Sequence, residues 1–187
     1  MSGHSKWKQI KHKKAITDAK KGTAFSKMVR EITIAAKTGE PNPDANIRLK
    51  ASIERARVIG LPKENIDRAI AKASGYENDR DGPELFEFLY EATAPGGIAM
   101  LIEGITDNKN RTVNEIKHLL TTHEARLADP GSVLWSFEKA YDHEAGGHTY
   151  QARYPLDLPA SQVPPTLDTL LEALSEHDDV QEVYTNL

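Results

Sequence analysis

Phe86-Glu87-Phe88-Leu89-Tyr90-Glu91-Ala92, then Ala94-Pro95-Gly96-Gly97, then Ile98 to Ile105, is where this chain changes its period. In the first run Phe86, Phe88, Tyr90 and Ala92 alternate with Glu87, Leu89 and Glu91, which predicts a strand with one wet face. Ala94-Pro95-Gly96-Gly97 has proline and glycine where a type II turn requires them. Ile98 to Ile105 is apolar at odd and even positions alike, as a strand covered on both faces should be.

Downstream, Thr112-Val113-Asn114-Glu115 fits a capping box for a helix carrying Val113, Ile116, Leu119 and Leu120. Val133, Trp135 and Phe137 read as the next strand, and Tyr150, Ala152, Tyr154, Leu156 and Leu158 as another. Pro164-Pro165 opens a helix with Leu167, Leu170, Leu171 and Leu174, and Val180 to Tyr184 closes the chain as a strand. From Ile98 the order is β-α-β-β-α-β, a ferredoxin-like arrangement preceded by one extra strand.

Upstream the period is three to four. Phe25, Met28, Val29, Ile32, Ala35 and Ala36 predict an amphipathic helix closed by Gly39. Asn42-Pro43-Asp44 reads as the start of a second helix bearing Ile47, Leu49, Ile53, Ala56 and Ile59, stopped by Gly60. Pro62 opens a third with Ile66, Ala69, Ile70 and Ala73. Short connections favour an antiparallel bundle. Residues 5–21 have few apolar positions and suit a helix ordered by a partner. The predicted fold is therefore α+β: a basic helical nucleic-acid-binding domain over residues 1–75, a linker at 76–83, and an acidic ferredoxin-like domain over 84–187.

Charge divides the chain at the same place. The net charge of −4 conceals 17 Lys and Arg against 7 Asp and Glu in residues 1–75, and 7 against 21 in residues 76–187. One end attracts polyanions and the other repels them. The positive charge peaks in Met1–Gly22, where Lys6, Lys8, Lys11, Lys13, Lys14, Lys20 and Lys21 face only Asp18, with Trp7 among them. A phosphate backbone is the natural counterion for such a run, and a solvated basic tail is the bland alternative.

The chain has no cysteine, which excludes disulfides and thiolate chemistry and fits a reducing cytoplasm. No stretch suits a membrane span or a signal peptide, so no membrane partner is expected. His143-Glu144-Ala145-Gly146-Gly147-His148 has its histidines five apart with a helix-breaking Gly-Gly, and reads as a hairpin turn rather than a zinc-protease helix. His118 and His123 are poorly spaced for a metal, and Asp178-Asp179 reads as a helix-to-strand turn. No catalytic residue, metal site, cofactor or small-molecule substrate is indicated, and the chain is read as no enzyme. The polar loop Thr106 to Thr112 is explained by capping chemistry, with a second contact through Lys109 and Arg111 as the alternative.

Gly3-His4-Ser5-Lys6-Trp7, Ile10-Lys11-His12-Lys13, Asp18-Ala19-Lys20-Lys21-Gly22, Arg30-Glu31-Ile32, Asn46-Ile47-Arg48-Leu49 and Pro62-Lys63-Glu64-Asn65-Ile66 together resemble the signature of the YebC-type proteins. So do Thr106 to Thr112, Gly131 to Glu138 and Leu170 to Asn186. This family includes bacterial probable transcriptional regulators and the mitochondrial translational activator of cytochrome oxidase subunit I. The resemblance implies a non-enzymatic nucleic-acid binder with contacts at Ser5, Lys6, Trp7, Lys11, His12, Lys13, Lys14, Lys20, Lys21, Arg30, Arg48 and Lys63. It also implies an inserted third domain, which here shrinks to a link around Asp142–His148. Ala94 stands where the family usually has glycine.

Three functions follow as expectations. The first is a translation factor binding ribosomal RNA on the large ribosomal subunit through its basic end. The second is a transcription regulator on duplex DNA, with Arg48, Lys50, Arg55 and Arg57 of one helix near phosphates. The third is a protein-interaction module using the acidic domain.

Overall fold

A computed structural model describes residues 18–74, 84–142, 146–159 and 161–187. The expected linker and the lysine-rich start fall outside these residues, apart from Asp18 onward.

Three helices make the first part: α1 (Asp18–Thr38), α2 (Ile47–Val58) and α3 (Lys63–Ser74). The predicted apolar stripe of α1 packs with Leu49, Ile53 and Ala56 of α2 and Ile66 and Ala69 of α3 in one cluster. Between α1 and α2 a single side chain serves both helices. Asn46 accepts the Leu49 N–H at 3.0 Å, capping α2, and donates to the carbonyls of Ala35 and Glu40 at 2.8 Å each. The expected cap, Asn42, closes an Asx turn on Asp44 instead, so α2 begins later than its sequence suggests. Ile47 is consequently at the rim and exposed rather than inward. Gly60, at φ +80, ends α2 in the left-handed conformation that glycine adopts without strain.

The second part is built on the hairpin of β1 (Phe86–Ala94) and β2 (Ile98–Thr106), paired without interruption from Phe86↔Thr106 to Ala94↔Ile98. Gly96 and Gly97 both take positive φ in the turn. After β2 come α4 (Lys109–Thr122), the two-residue β3 (Arg126–Leu127), the hairpin β4 (Phe137–Asp142) and β5 (Gly147–Ala152), α5 (Leu167–Glu176) and β6 (Val180–Thr185). The main sheet is ordered β3-β1-β2-β6, antiparallel at each pairing. Beneath it lie Ile116 and Leu120 of α4 and Leu167, Leu170, Leu171 and Leu174 of α5, packed on Phe88, Ala92, Ile98, Met100 and Ile102. The opposite face, with Leu101, meets Phe137, Tyr150 and Ala152 of the β4–β5 hairpin. Helices, sheet and hairpin thus form three layers, and β2 is covered on both faces as its composition requires.

The α+β class stands, but the expected ferredoxin-like βαββαβ order does not: the main sheet is built from the β1–β2 hairpin, then α4 and β3, then α5 and β6, with the β4–β5 hairpin in a sheet of its own. Strand β1, read as an addition, lies inside the sheet, between β2 and the short β3 that follows the crossover helix α4. The segments at 133–137 and 150–158 are not in this sheet. Leu134–Ser136 is a single 3₁₀ turn, because Glu91 takes the N–H groups of Gly131, Val133 and Leu134 that a strand would offer its neighbour. Glu91 is itself buried, so the face of β1 read as wet is dry there. Pairing on β5 stops at Ala152; Pro155 and Pro159 follow, and Leu156 and Leu158 fold over the helix-side core. Helix α4 starts before the expected box, capped by Asn108, whose side chain accepts the Arg111 N–H at 3.0 Å. Thr112 is fully buried one turn inside it.

Candidate nucleic-acid interface

The two parts meet through charge and through the close packing of Gly146, in the β4–β5 turn, against Ala51 and Ile47 of α2. Lys27 on α1 donates to the carbonyl of Ser175 at 2.6 Å. Arg30, one turn on, donates to the carbonyl of Asp178 at 2.8 Å and to Oδ1 of Asp179 at 2.5 Å. Lys37 pairs with Glu84 at 3.1 Å, and Arg48 of α2 with Glu87 of β1 at 2.5 Å. No apolar cluster among the described residues spans the boundary: one lies wholly within residues 25–73 and two within the sheet part.

Asp179 is the centre of this contact. Its Oδ2 accepts from the Thr112 hydroxyl at 2.5 Å, from Arg111 at 2.7 Å and from the Thr106 hydroxyl at 3.1 Å. Burial pushes its carboxyl up, but Thr112, Arg111, Arg30 and Thr106 outweigh that and hold it at about 2. Asp178-Asp179 does lie at a helix-to-strand turn, yet one of the pair is also the principal anion of the structure. What hides this from the sequence is that its four partners come from two distant segments, α1 and the 106–112 stretch. Glu115, His177 and Asp179 approach within 4.8 Å of one another. Arg111 and Arg30 already supply the positive charge there, and Glu115 is bound to His177 at 3.1 Å.

Of the expected contact residues, Ser5, Lys6, Trp7, Lys11, His12, Lys13 and Lys14 lie outside the described residues. Lys20 is in the first turn of α1, and Lys21 beside it is exposed. Lys63, at the start of α3, is exposed. Arg30 and Arg48 are turned to the sheet part by the ion pairs above. Lys109 sits 4.6 Å over the Phe86 ring. Arg111 is held by Asp107 at 2.8 Å as well as by Asp179. The loop at 106–112 therefore spends its cations and hydroxyls within the chain.

Other cations remain open. Lys21, Lys50, Arg57, Lys63, Arg68 and Lys72 are exposed and make no ion pair among the described residues. Lys50 and Arg57 are two turns apart on α2, and Arg68 and Lys72 one turn apart on α3, so each pair shares a helix face. Arg55, between the first two, is instead drawn to Glu31, which also accepts from Ser52 at 3.0 Å. No described helix is long and apolar enough to cross a membrane.

Comparison with known proteins matches this arrangement. The sequence profile of the TACO1/YebC protein N-terminal domain matches residues 5–76, and that of the TACO1/YebC second and third domain matches residues 85–144. A probable transcriptional regulatory protein of Desulfosudis oleivorans is 41% identical over 187 residues, covering 98% of this chain and 74% of that protein. One from Dictyoglomus turgidum is 51% identical over 139 residues, covering 74% of this chain but 55% of its own length. Thus the chain spans about half the length of several such relatives. A crystal structure of a conserved hypothetical protein from Aquifex aeolicus superposes with a TM-score of 0.84 at 32% identity, covering 96% of this chain and 95% of that one. Family profiles on both parts, a relative matched along nearly the whole chain and a shared fold establish that the chain belongs to the TACO1/YebC family.

Proposed function

We propose that the chain is a non-enzymatic, nucleic-acid-binding regulator of gene expression in the cytoplasm, and that its ligand is RNA of the large ribosomal subunit. Residues 1–75 form the binding domain, with Ser5, Lys6, Trp7, Lys11, His12, Lys13, Lys14, Lys20, Lys21 and Lys63 as contacts. Residues 84–187 form a second domain that stays off the polyanion. Arg30 and Arg48 hold the two domains together.

One observation carries this reading. Among the described residues the helical part keeps Lys21, Lys50, Arg57, Lys63, Arg68 and Lys72 without an ion pair, next to a sheet part with six Lys and Arg against eighteen Asp and Glu in residues 84–187. Such polarity directs a phosphate chain to one end of the molecule. RNA is favoured over duplex DNA because α2 commits Arg48 and Arg55 to internal carboxylates. That leaves no helix among the described residues with a row of Arg, Asn or Gln side chains for reading base edges in a major groove.

The names of the relatives, probable transcriptional regulatory proteins, favour a second reading, a regulator on promoter duplex. Sedimentation of cell extracts separates the two. Co-migration with large ribosomal subunits, lost on ribonuclease treatment, supports the RNA reading. A protein absent from ribosomal fractions that still protects promoter DNA overturns it in favour of the second.

A further inference from the structure

The motif Gly131 to Glu138 is not used by the proposed nucleic-acid site, yet it is held by a dense set of hydrogen bonds. Buried Glu91 accepts the N–H groups of Gly131, Val133 and Leu134 at 2.5, 2.6 and 2.8 Å. The Ser132 and Ser136 hydroxyls donate to the carbonyls of Asp129 and Val133 at 2.5 and 2.7 Å. Arg153 ties the following segment to it, through its N–H to Ser136 at 2.8 Å and its Nε to Phe137 at 3.1 Å. What this framework presents is Trp135, 63% exposed, beside Tyr154, 64% exposed, with ring centroids 5.9 Å apart. The indole N–H is already spent on the Ser132 carbonyl at 2.8 Å. The two aromatic faces and the Tyr154 hydroxyl are left to offer.

A large aromatic pair held rigid in water has no structural use to offset its exposure, and Trp and Tyr on rigid supports are the common anchors of interfaces. Its surroundings indicate the sign of the partner. Residues 84–187 carry a net charge of −12, from six cations and eighteen acids. Near the pair in sequence Asp129, Glu138 and Asp157 are exposed, against Lys139 and Arg153, the latter engaged by Phe137. Ring faces in a negative field attract cations and repel phosphates. We infer that Trp135 and Tyr154 form a docking site for an arginine- or lysine-rich segment of a partner protein, which places a cationic side chain over the aromatic faces. The site is separate from the polyanion-binding end and does not depend on which nucleic acid that end takes.

Trp135 reports on its own occupancy, since Trp7 is the only other tryptophan. In full-length protein carrying Trp7→Phe, a short arginine-rich peptide is expected to change Trp135 emission saturably and reversibly with salt. Tyr154→Ala is expected to weaken this about threefold, as loss of one cation–π partner implies, whereas Tyr154→Phe keeps it. Oligouridylate is expected to bind the wild-type protein, by anisotropy of a dye on the oligonucleotide, and to leave Trp135 emission unaltered in the Trp7→Phe protein. An unresponsive Trp135 in the presence of peptide, or equal affinity in Tyr154→Ala, overturns the inference. So does a response to oligouridylate alone, which would make the pair a base-stacking platform.

Discussion

Arg30 on α1 donates to Oδ1 of Asp179, immediately before β6, at 2.5 Å across 149 residues of sequence. The same carboxylate holds Arg111 and two threonine hydroxyls of the β2–α4 connection. One side chain therefore joins the helical part, the crossover and the last strand.

Removing that carboxylate should leave two guanidinium groups and two buried hydroxyls without their acceptor. Asp179→Ala is expected to lower unfolding free energy by about 3 kcal/mol, in the range for breaking a buried, hydrogen-bonded pair. The neighbouring Asp178→Ala, exposed and bonded only through its backbone, should change it by less than about 0.5 kcal/mol. Urea midpoints of the two variants check this.

Stability should fall with acid in a defined window. The Asp179 carboxyl is depressed from 3.8 to about 2 in the fold. Its contribution is thus complete above the ordinary value and is lost as pH falls from there through about 2. The amount is about 2 kcal/mol. Glu91 acts in the same direction, since its three backbone donors outweigh the effect of burial. Denaturant midpoints between about pH 6 and pH 2 should show this loss, and Asp179→Asn should remove part of it.

Glu91→Gln keeps the shape of the side chain but trades an anion for an amide among three N–H donors. A cost of about 2 kcal/mol is expected, together with faster hydrogen exchange at Val133 and Leu134. Wild-type exchange at these two amides would show that the carboxylate does not hold the turn.

At the boundary, Arg48 and Glu87 are both partly exposed, and their coupling should be small. A double-mutant cycle is expected to give about 0.5 kcal/mol at low salt, shrinking at about 0.5 M salt. Persistence at high salt would mean that this contact is held by something other than charge.

These interactions explain what was legible in the sequence and what was not. Periodicity fixes elements whose partner is simply the core: the stripe from Phe25 to Ala36, the doubly covered Ile98–Ile105, the leucines of α5. It fails where a polar side chain has a specific distant partner. Thr112 looks like a cap because a threonine before Glu115 usually is one, but its hydroxyl is claimed by Asp179. Glu91 looks wet by alternation and is buried by its backbone donors, which also turn Leu134–Ser136 from strand into 3₁₀. Asn42 and Asn46 are equally good caps locally, and only Asn46 can reach the end of α1. In the candidate interface, Arg30 and Arg48 look like phosphate ligands until Asp179 and Glu87 arrive from the other part, whereas Lys21 and Lys63 stay open to solvent.

The salt dependence of binding tests the central electrostatic claim most directly. With a fragment of large-subunit RNA, log affinity against log salt should fall with a slope of roughly −4, as expected if about five phosphates are neutralised. Replacing Lys11, Lys13 and Lys14 by glutamate should abolish that binding with little change in melting temperature. A slope near zero, or a triple variant that binds as tightly as the wild type, contradicts a cationic end that grips a phosphate chain.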